Sequence, residues 1–158
     1  MKTKCFFLLF TVALLAGCNS EPKEFSYTFI MESVEVYKQS LTIDQSRQYT
    51  IEQQELYFNL RANRYNPVIK NGVLNDDDFN EFKKLLTAGK LHKMKDSYGF
   101  DKEKDQALHD VIYYIIYNAD NKEKSITIRL DNTSRYPESF TKLIDFTNQF
   151  INNNKEAE

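Results

Sequence analysis

Cysteine, glycine, proline and histidine are scarce in this chain of 158 residues, which has two, four, three and two of them respectively. Both cysteines lie within the first 18 positions, so the rest of the chain has no thiol for a disulfide and must be stabilised by packing. The low glycine and proline content argues against long flexible linkers.

A block of positive charge is also missing. The chain has 21 basic and 23 acidic side chains and a net charge of −2, and its basic residues are spread along the sequence. Nucleic acid binding needs clustered Lys and Arg to neutralise phosphates. We therefore expect no nucleic acid partner.

Recognisable catalytic and metal-binding patterns are absent from the sequence as well. It contains no G-x-S-x-G, P-loop or H-E-x-x-H motif. His92 and His109 lie in a charged segment without a recognised ligand spacing, which favours a solvated loop over a metal site. We expect no catalytic residues, no metal and no enzyme activity. A hydrolase using paired carboxylates is the alternative, but with 23 acidic residues in the chain such pairs arise easily by chance.

The N-terminus has the order of a secretory signal. Lys2 and Lys4 precede an apolar run from 6 to 16, and small residues and a cysteine follow. A helix needs about 20 apolar residues to span a bilayer, and this run has about half that number. We expect the segment to be removed.

Leu15-Ala16-Gly17-Cys18 closes this segment and resembles the lipobox of bacterial lipoproteins at all four positions. The resemblance implies cleavage between Gly17 and Cys18, a diacylglycerol on the Cys18 sulfur, and usually an acyl chain such as palmitate on the new amino group. One chain anchors a protein only marginally, whereas two or three form a stable anchor. We expect no other cofactor.

The sequence after Cys18 bears on location and domain organisation. Asn19 stands where the lipoprotein family often has the Asp that retains a protein at the inner membrane, which favours the outer membrane in a host with two membranes. Both a periplasmic and a surface orientation stay open. About 140 residues suit one domain. We predict a signal peptide at 1–17, a lipidated cysteine and tether at 18–24, one domain at 25–151, and a disordered tail at 152–158.

Residues 25 to 61 alternate in hydrophobicity with the period of β-strands. Phe25, Tyr27, Phe29 and Met31 share one face, and the parity then changes, which indicates a bulge or turn near Glu32. Further alternations at 41–43, 49–51 and 56–60 predict three or four antiparallel strands in all. The Asn-Pro and Asn-Gly pairs at 66–67 and 71–72 then predict a loop over 62–72.

Two helices are predicted from capping residues and periodicity. The first has Asn75 as N-cap, acidic residues at 76–78 that favour a helix N-terminus over a calcium loop, and Gly89 just past its end. Its stripe is Phe79, Phe82, Leu85 and Leu86. The second begins near Pro137 and runs to about Ile151. Its stripe is Phe140, Leu143, Ile144, Thr147, Phe150 and Ile151.

A hairpin over 111 to 130 lies between these helices. If its turn has an even number of residues, Tyr113 and Ile115 share a face with Ile126 and Ile128, and an odd number exchanges the faces. Tyrosine suits interfaces because it combines rigid area with a polar tip. The candidate binding surface therefore consists of Ile112, Tyr114, Ile116 and Arg129. The alternative is that all these rings belong to the core or pack against the 90–110 loop.

This order of strands, helix, hairpin and helix predicts an α+β domain with an antiparallel sheet of about five to six strands and both helices on one face. It is similar in architecture to the small bacterial protease inhibitors of the emfourin type. The chain lacks their glycine-rich turn in the first strand pair, so no functional residue is carried over from that family.

Together these features predict a membrane-anchored lipoprotein of the cell envelope, with a non-catalytic domain that binds another protein or an envelope component. The alternatives are an envelope hydrolase using paired carboxylates and a structural subunit of a multiprotein envelope complex. The sequence leaves the ligand and the oligomeric state open.

Overall fold

The computed structural model describes residues 24–33, 36–55, 67–100, 111–130 and 135–154. The predicted signal peptide, the lipobox with Gly17 and Cys18, the proposed strand at 56–60, His109 and residues 155–158 lie outside these ranges. The elements are β1 (Phe25–Ser33), β2 (Tyr37–Asp44), β3 (Gln48–Glu55), β4 (Val68–Val73), α1 (Asp76–Gly89), β5 (Ser97–Tyr98), β6 (Val111–Ala119), β7 (Lys122–Arg129) and α2 (Glu138–Asn154).

The strands form one mixed sheet in the order β4-β3-β2-β1-β6-β7-β5. All neighbours are antiparallel except β5 and β7, which run parallel. The α+β class is therefore as predicted, whereas the expected antiparallel sheet of five to six strands becomes a mixed sheet of seven. The two additional strands are the short β5 and the edge strand β4, which lie in segments without a clear period-two alternation.

Both helices pack against one face of the sheet, here called the inner face. The Tyr27 ring of β1 lies 5.3 Å from the Phe82 ring of α1, and the Tyr49 ring of β3 lies 5.0 Å from the Phe150 ring of α2. All six residues of the predicted α2 stripe are buried, which confirms that stripe. In α1, Phe82 and Leu86 are buried while Phe79 and Leu85 are half-buried.

The β6–β7 hairpin turns through two residues, Asp120 and Asn121, which both have positive φ angles of 48° and 62°. Two such residues are typical of the tight turn that matches the twist of a hairpin. An even turn pairs Tyr113 with Ile128 and Ile115 with Ile126. These residues are buried on the inner face, so the even-turn alternative applies.

The predicted loop over 62–72 is wrong for residues 68–72, which belong to β4. The Asn71-Gly72 pair is not a turn, because Gly72 pairs with Tyr49 within the β3–β4 ladder. A Cβ atom on Gly72 would lie 2.5 Å from Cζ and Oη of Tyr49. The glycine is therefore needed for close approach of the Tyr49 ring.

Several predicted boundaries shift by a few residues. Asn75 is the N-cap of α1, as predicted, and its side chain accepts a hydrogen bond from the Asp78 backbone at 2.8 Å. Gly89 is the last residue of α1, and Lys90 takes the left-handed conformation after it. Helix α2 continues to Asn154, so 152–154 are helical and not part of a tail.

No helix in the described ranges is long and apolar enough to span a bilayer.

Candidate functional site

The face of the sheet opposite the helices, here called the outer face, carries the predicted binding residues. Strand pairing aligns Ile30 of β1, Tyr114 of β6 and Thr127 of β7 in one row across the sheet. The neighbouring rows align Thr28 with Ile116, and Glu32 with Ile112 and Arg129. Within the described residues, both helices lie on the inner face, so neither covers these rows.

Three of the four predicted residues form the centre of this surface. Ile112, Tyr114 and Ile116 alternate along β6 and are half-buried between the side chains of β1 and β7. Ile30 extends the apolar area onto β1 and was not predicted, although it follows from the period-two alternation of β1. The structure therefore brings an aromatic ring and three isoleucines together at the middle of the outer face.

Polar groups surround this apolar centre. The Thr28 and Thr42 hydroxyl oxygens are 3.2 Å apart between β1 and β2. Partial burial, and secondarily the negative charge of Glu32, raise the pKa of the Tyr114 phenol. The phenol is therefore neutral at physiological pH and can both donate and accept a hydrogen bond at a contact surface.

Arg129 shares the outer face by register but is mostly covered. It is 9% exposed, and a Cβ atom on Gly99 would collide with its backbone carbonyl. The segment after β5 thus packs directly against Arg129. The fourth predicted residue is consequently far less available to a partner than the three on β6.

A shallow depression of about 600 Å³ lies at one end of the sheet. It is formed by the start of β1, the β2–β3 turn and the β6–β7 turn, and four carboxylates line it: Glu24, Asp44, Asp120 and Glu123. Three of the four are exposed, and only Asp44 is half-buried. The Asp44 carboxylate already has partners within the β2–β3 turn, where its Oδ1 accepts hydrogen bonds from the backbone N–H groups of Ser46 and Gln48 at 2.8 and 3.1 Å.

A second depression of about 550 Å³ lies between α1 and α2. Leu85, Phe146 and Phe150 provide its apolar part, and the charged residues Asp78, Glu81, Lys142 and Asp145 surround them. Phe146 stacks on Phe150 with ring centroids 6.1 Å apart. These rings pack onto the core, so the depression lies on the surface of the helix pair itself and is distinct from the outer face of the sheet.

A metal site finds no support in the described parts of the chain, where no group of three or more His, Cys, Asp and Glu side chains is placed to hold an ion. His92 is exposed, and its ring lies 5.1 Å from that of Tyr117.

The sequence did not predict the exposed edge strand β4. The Val-Ile pair at 68–69 and Val73 are typical strand residues, but the Asn-Gly pair favoured a turn.

Comparison with protein-family models and with curated proteins finds no match to this chain.

Proposed function

We propose that this chain is a lipid-anchored protein of the bacterial cell envelope, and that its α+β domain is a non-catalytic module that binds another protein. The binding surface is the centre of the outer face, which consists of Ile30, Ile112, Tyr114 and Ile116. The observation that carries this proposal is the clustering of these four side chains on the sheet face that neither helix covers.

The chemistry of this surface suits a protein partner. Interface centres are enriched in aromatic and apolar side chains and poor in charge, with polar residues around them. Tyr114 occupies the middle position, and its row neighbours are Ile30 and Thr127. Ser40 of β2 lies beyond Ile30, and the Thr28–Thr42 pair lies in the adjacent row. A rigid ring with one polar tip loses little conformational entropy on binding.

The anchor is proposed from the Leu15-Ala16-Gly17-Cys18 pattern, which favours acylation of Cys18 and the outer membrane. Strand β1 begins at Phe25, only seven residues after that cysteine. A lipid at Cys18 would hold the domain close to the bilayer and restrict its partners to envelope proteins.

The hydrolase alternative has one candidate location, the depression lined by the four carboxylates. A general acid in a glycosidase is typically a carboxyl in an apolar pocket, and its partner carboxylate faces it across a cleft. Three of these carboxylates are exposed, and the fourth is bound within a turn. Binding through the outer face is therefore the function that the geometry supports best.

Site-specific photo-crosslinking in intact cells tests the proposal. A photoreactive amino acid replaces Tyr114 or Ile116 on the outer face, and Asn80, which is exposed on α1, serves as the matched control on the opposite side of the domain. We expect one discrete crosslinked protein from positions 114 and 116 and none from position 80. Tyr113 is unsuitable as a control because its ring packs 5.0 Å from that of Phe29 in the core.

Substitutions within the outer-face surface distinguish a specific contact from mere proximity. Adding the double substitution Ile30→Ala and Ile112→Ala to the chain with the probe at position 116 should reduce the crosslink, because it removes half of the apolar centre. Identical crosslinks from positions 114 and 80, or a product that the double substitution leaves unchanged, would exclude the outer face as the contact surface. A product in stoichiometric amount would favour the alternative of a structural subunit of an envelope complex.

A further inference from the structure

Among the strands that the structure describes, β4 forms one edge of the sheet, and it exposes apolar side chains. Five large hydrophobic residues in the described ranges are exposed, and three of them are in this strand of six residues: Val68, Ile69 and Val73, at 49%, 53% and 63%. Unprotected edges of this kind are templates for pairing with another strand.

The direction of the backbone groups of β4 follows from one hydrogen bond. The Leu74 N–H donates to the Arg47 carbonyl at 2.9 Å, which continues the β3–β4 ladder by one pair. In an antiparallel ladder, hydrogen-bonded and non-hydrogen-bonded pairs alternate. Gly72 and Lys70 therefore bond to β3, whereas Ile69, Asn71 and Val73 direct their N–H and C=O groups to the open edge.

The opposite edge of the sheet is protected. Strand β7 begins with the charged residues Lys122, Glu123 and Lys124, and Lys124 pairs with Asp96. The short parallel strand β5 covers its far end by pairing with Thr127 and Ile128. Charged residues and short covering strands are common protections against edge-to-edge association. Strand β4 has a single charge, Lys70, and no proline within its bounds.

We propose that β4 pairs with β4 of a second copy of this chain, in an antiparallel arrangement with the two-fold axis at Asn71. This register places Ile69 opposite the partner's Val73, Val73 opposite the partner's Ile69, and Asn71 opposite the partner's Asn71. All three residues have backbone groups directed to the open edge, so each of these pairs is of the hydrogen-bonded kind.

The side chains are self-complementary in this register. On the outer face, two Ile–Val pairs flank the central asparagines, and β-branched pairs stabilise a sheet. Asn71 Oδ1 already accepts from Thr50 Oγ1 at 2.8 Å within its own chain, and its amide nitrogen has two hydrogens to donate across the axis.

The single charge also suits self-pairing. Lys70 lies opposite the partner's Gly72 and not opposite the partner's Lys70, so like charges do not face each other across the new ladder. This complementarity within one strand of six residues favours a second copy over an unrelated strand. The pairing continues the sheet from one copy to the next and is independent of the proposed binding function.

Cysteine crosslinking of the full chain in isolated membranes tests the register. We introduce Asn71→Cys, Ile69→Cys or Val73→Cys singly and oxidise under mild conditions. Opposed residues in hydrogen-bonded pairs have Cα atoms about 5.5 Å apart, within the range that a disulfide accepts. Two copies of position 69 would be more than about 13 Å apart, because four residues of strand separate them. Position 71 is exposed, so its substitution leaves the core intact.

The expected result is a strong dimer band for Asn71→Cys and at least about tenfold less for Ile69→Cys or Val73→Cys alone. Membranes containing both an Ile69→Cys chain and a differently tagged Val73→Cys chain should give the mixed dimer. The wild-type chain controls for bonds through Cys5 or Cys18. Equal yields at all three positions, no dimer for Asn71→Cys, or a band containing another protein would each overturn the pairing of two copies.

Discussion

A chain of hydrogen bonds joins β1 to α2 in the centre of the core. Thr147 Oγ1 donates to the Leu143 carbonyl at 2.8 Å, so its single hydrogen is used. The Tyr27 hydroxyl, 3.2 Å away, therefore donates to Thr147 Oγ1. Tyr27 and Thr147 are both fully buried, and neither can exchange its partner for water.

Removing the Thr147 hydroxyl should lower the free energy of unfolding more than removing the Tyr27 hydroxyl. Thr147→Val keeps the shape of the side chain but leaves the Tyr27 hydroxyl without an acceptor, which should lower the free energy of unfolding by about 1–3 kcal/mol. Tyr27→Phe leaves Thr147 bonded to Leu143 and should cost about 0.5–1.5 kcal/mol. Urea unfolding of the single variants and the double variant provides the measurement. A double variant as unstable as the sum of both single variants would contradict the coupling.

The burial of the Tyr27 phenol should also make the protein less stable at alkaline pH. Burial raises the pKa of the Tyr27 phenol far above its ordinary value of 10.0, and the hydrogen bond to Thr147 offsets this only in part. The folded state therefore keeps a proton that the unfolded chain releases, so this contribution is fully present below pH 10 and is lost as the pH rises above it. The free energy of unfolding should fall by up to about 1.4 kcal/mol per pH unit.

Tyr27→Phe provides the control for this pH dependence. The variant should be less stable at neutral pH, and its stability should fall less steeply above pH 10 than that of the wild type. The remaining slope comes in part from Tyr114 and Tyr117, because burial raises the pKa of both phenols as well. Urea midpoints measured on both sides of pH 10 test this, and parallel curves for the two proteins would refute it.

At the scale of elements, two glycines should respond oppositely to the same substitution. Gly72→Ala places a Cβ atom 2.5 Å from the buried Tyr49 ring, which packs on Phe150 and must shift. We expect a loss of about 1–3 kcal/mol. Gly89→Ala, at the end of α1, meets only Leu143 at 3.5 Å and Leu91 at 3.8 Å and should gain about 0.4–1 kcal/mol. Thermal unfolding compares them, and equal effects would contradict the proposed role of Gly72.

The helices and the hairpin could be predicted from the sequence because local signals agree there with the tertiary structure. The α2 stripe has a strict helical period, and Asn75 provides the N-cap bond of α1. Strand β4 could not be predicted, since the reason for Gly72 within a strand is the ring of Tyr49, 23 residues earlier in the sequence. The position of Arg129 on the outer face was predictable from parity, but its burial involves the segment after β5, which packs against it at Gly99.

At the scale of the whole molecule, the sheet has one face committed to the helices and one that neither helix covers. The parity of each strand determines this division, so the sequence predicts Ile112, Tyr114 and Ile116 on one surface, and the even hairpin turn places Thr127 and Arg129 on that surface as well. What the strands present to a partner also depends on the order β4-β3-β2-β1-β6-β7-β5, which brings Ile30 beside Tyr114. No local pattern encodes that neighbour.

The proposed anchor makes membrane attachment depend on one atom, the sulfur of Cys18. The apolar run before it is about half the length of a spanning helix, so acyl chains must supply the attachment. Each buried methylene contributes about 0.8 kcal/mol, and the loss of all chains leaves a domain with a net negative charge and no other anchor in the proposal. Cys18→Ala should therefore abolish both lipid attachment and cleavage by the lipoprotein pathway.

Flotation of cell membranes on a density gradient, combined with mass spectrometry of the isolated protein, measures both consequences of Cys18→Ala. The wild type should float and begin at an acylated Cys18, and the variant should retain its N-terminal segment without an acyl chain. Cys5→Ala is the matched control, because it changes a cysteine inside the segment that is removed. We expect that control to float like the wild type. A wild-type protein that carries no lipid and still begins at Met1 would contradict the anchor, while leaving the outer face and the β4 edge open to their own tests.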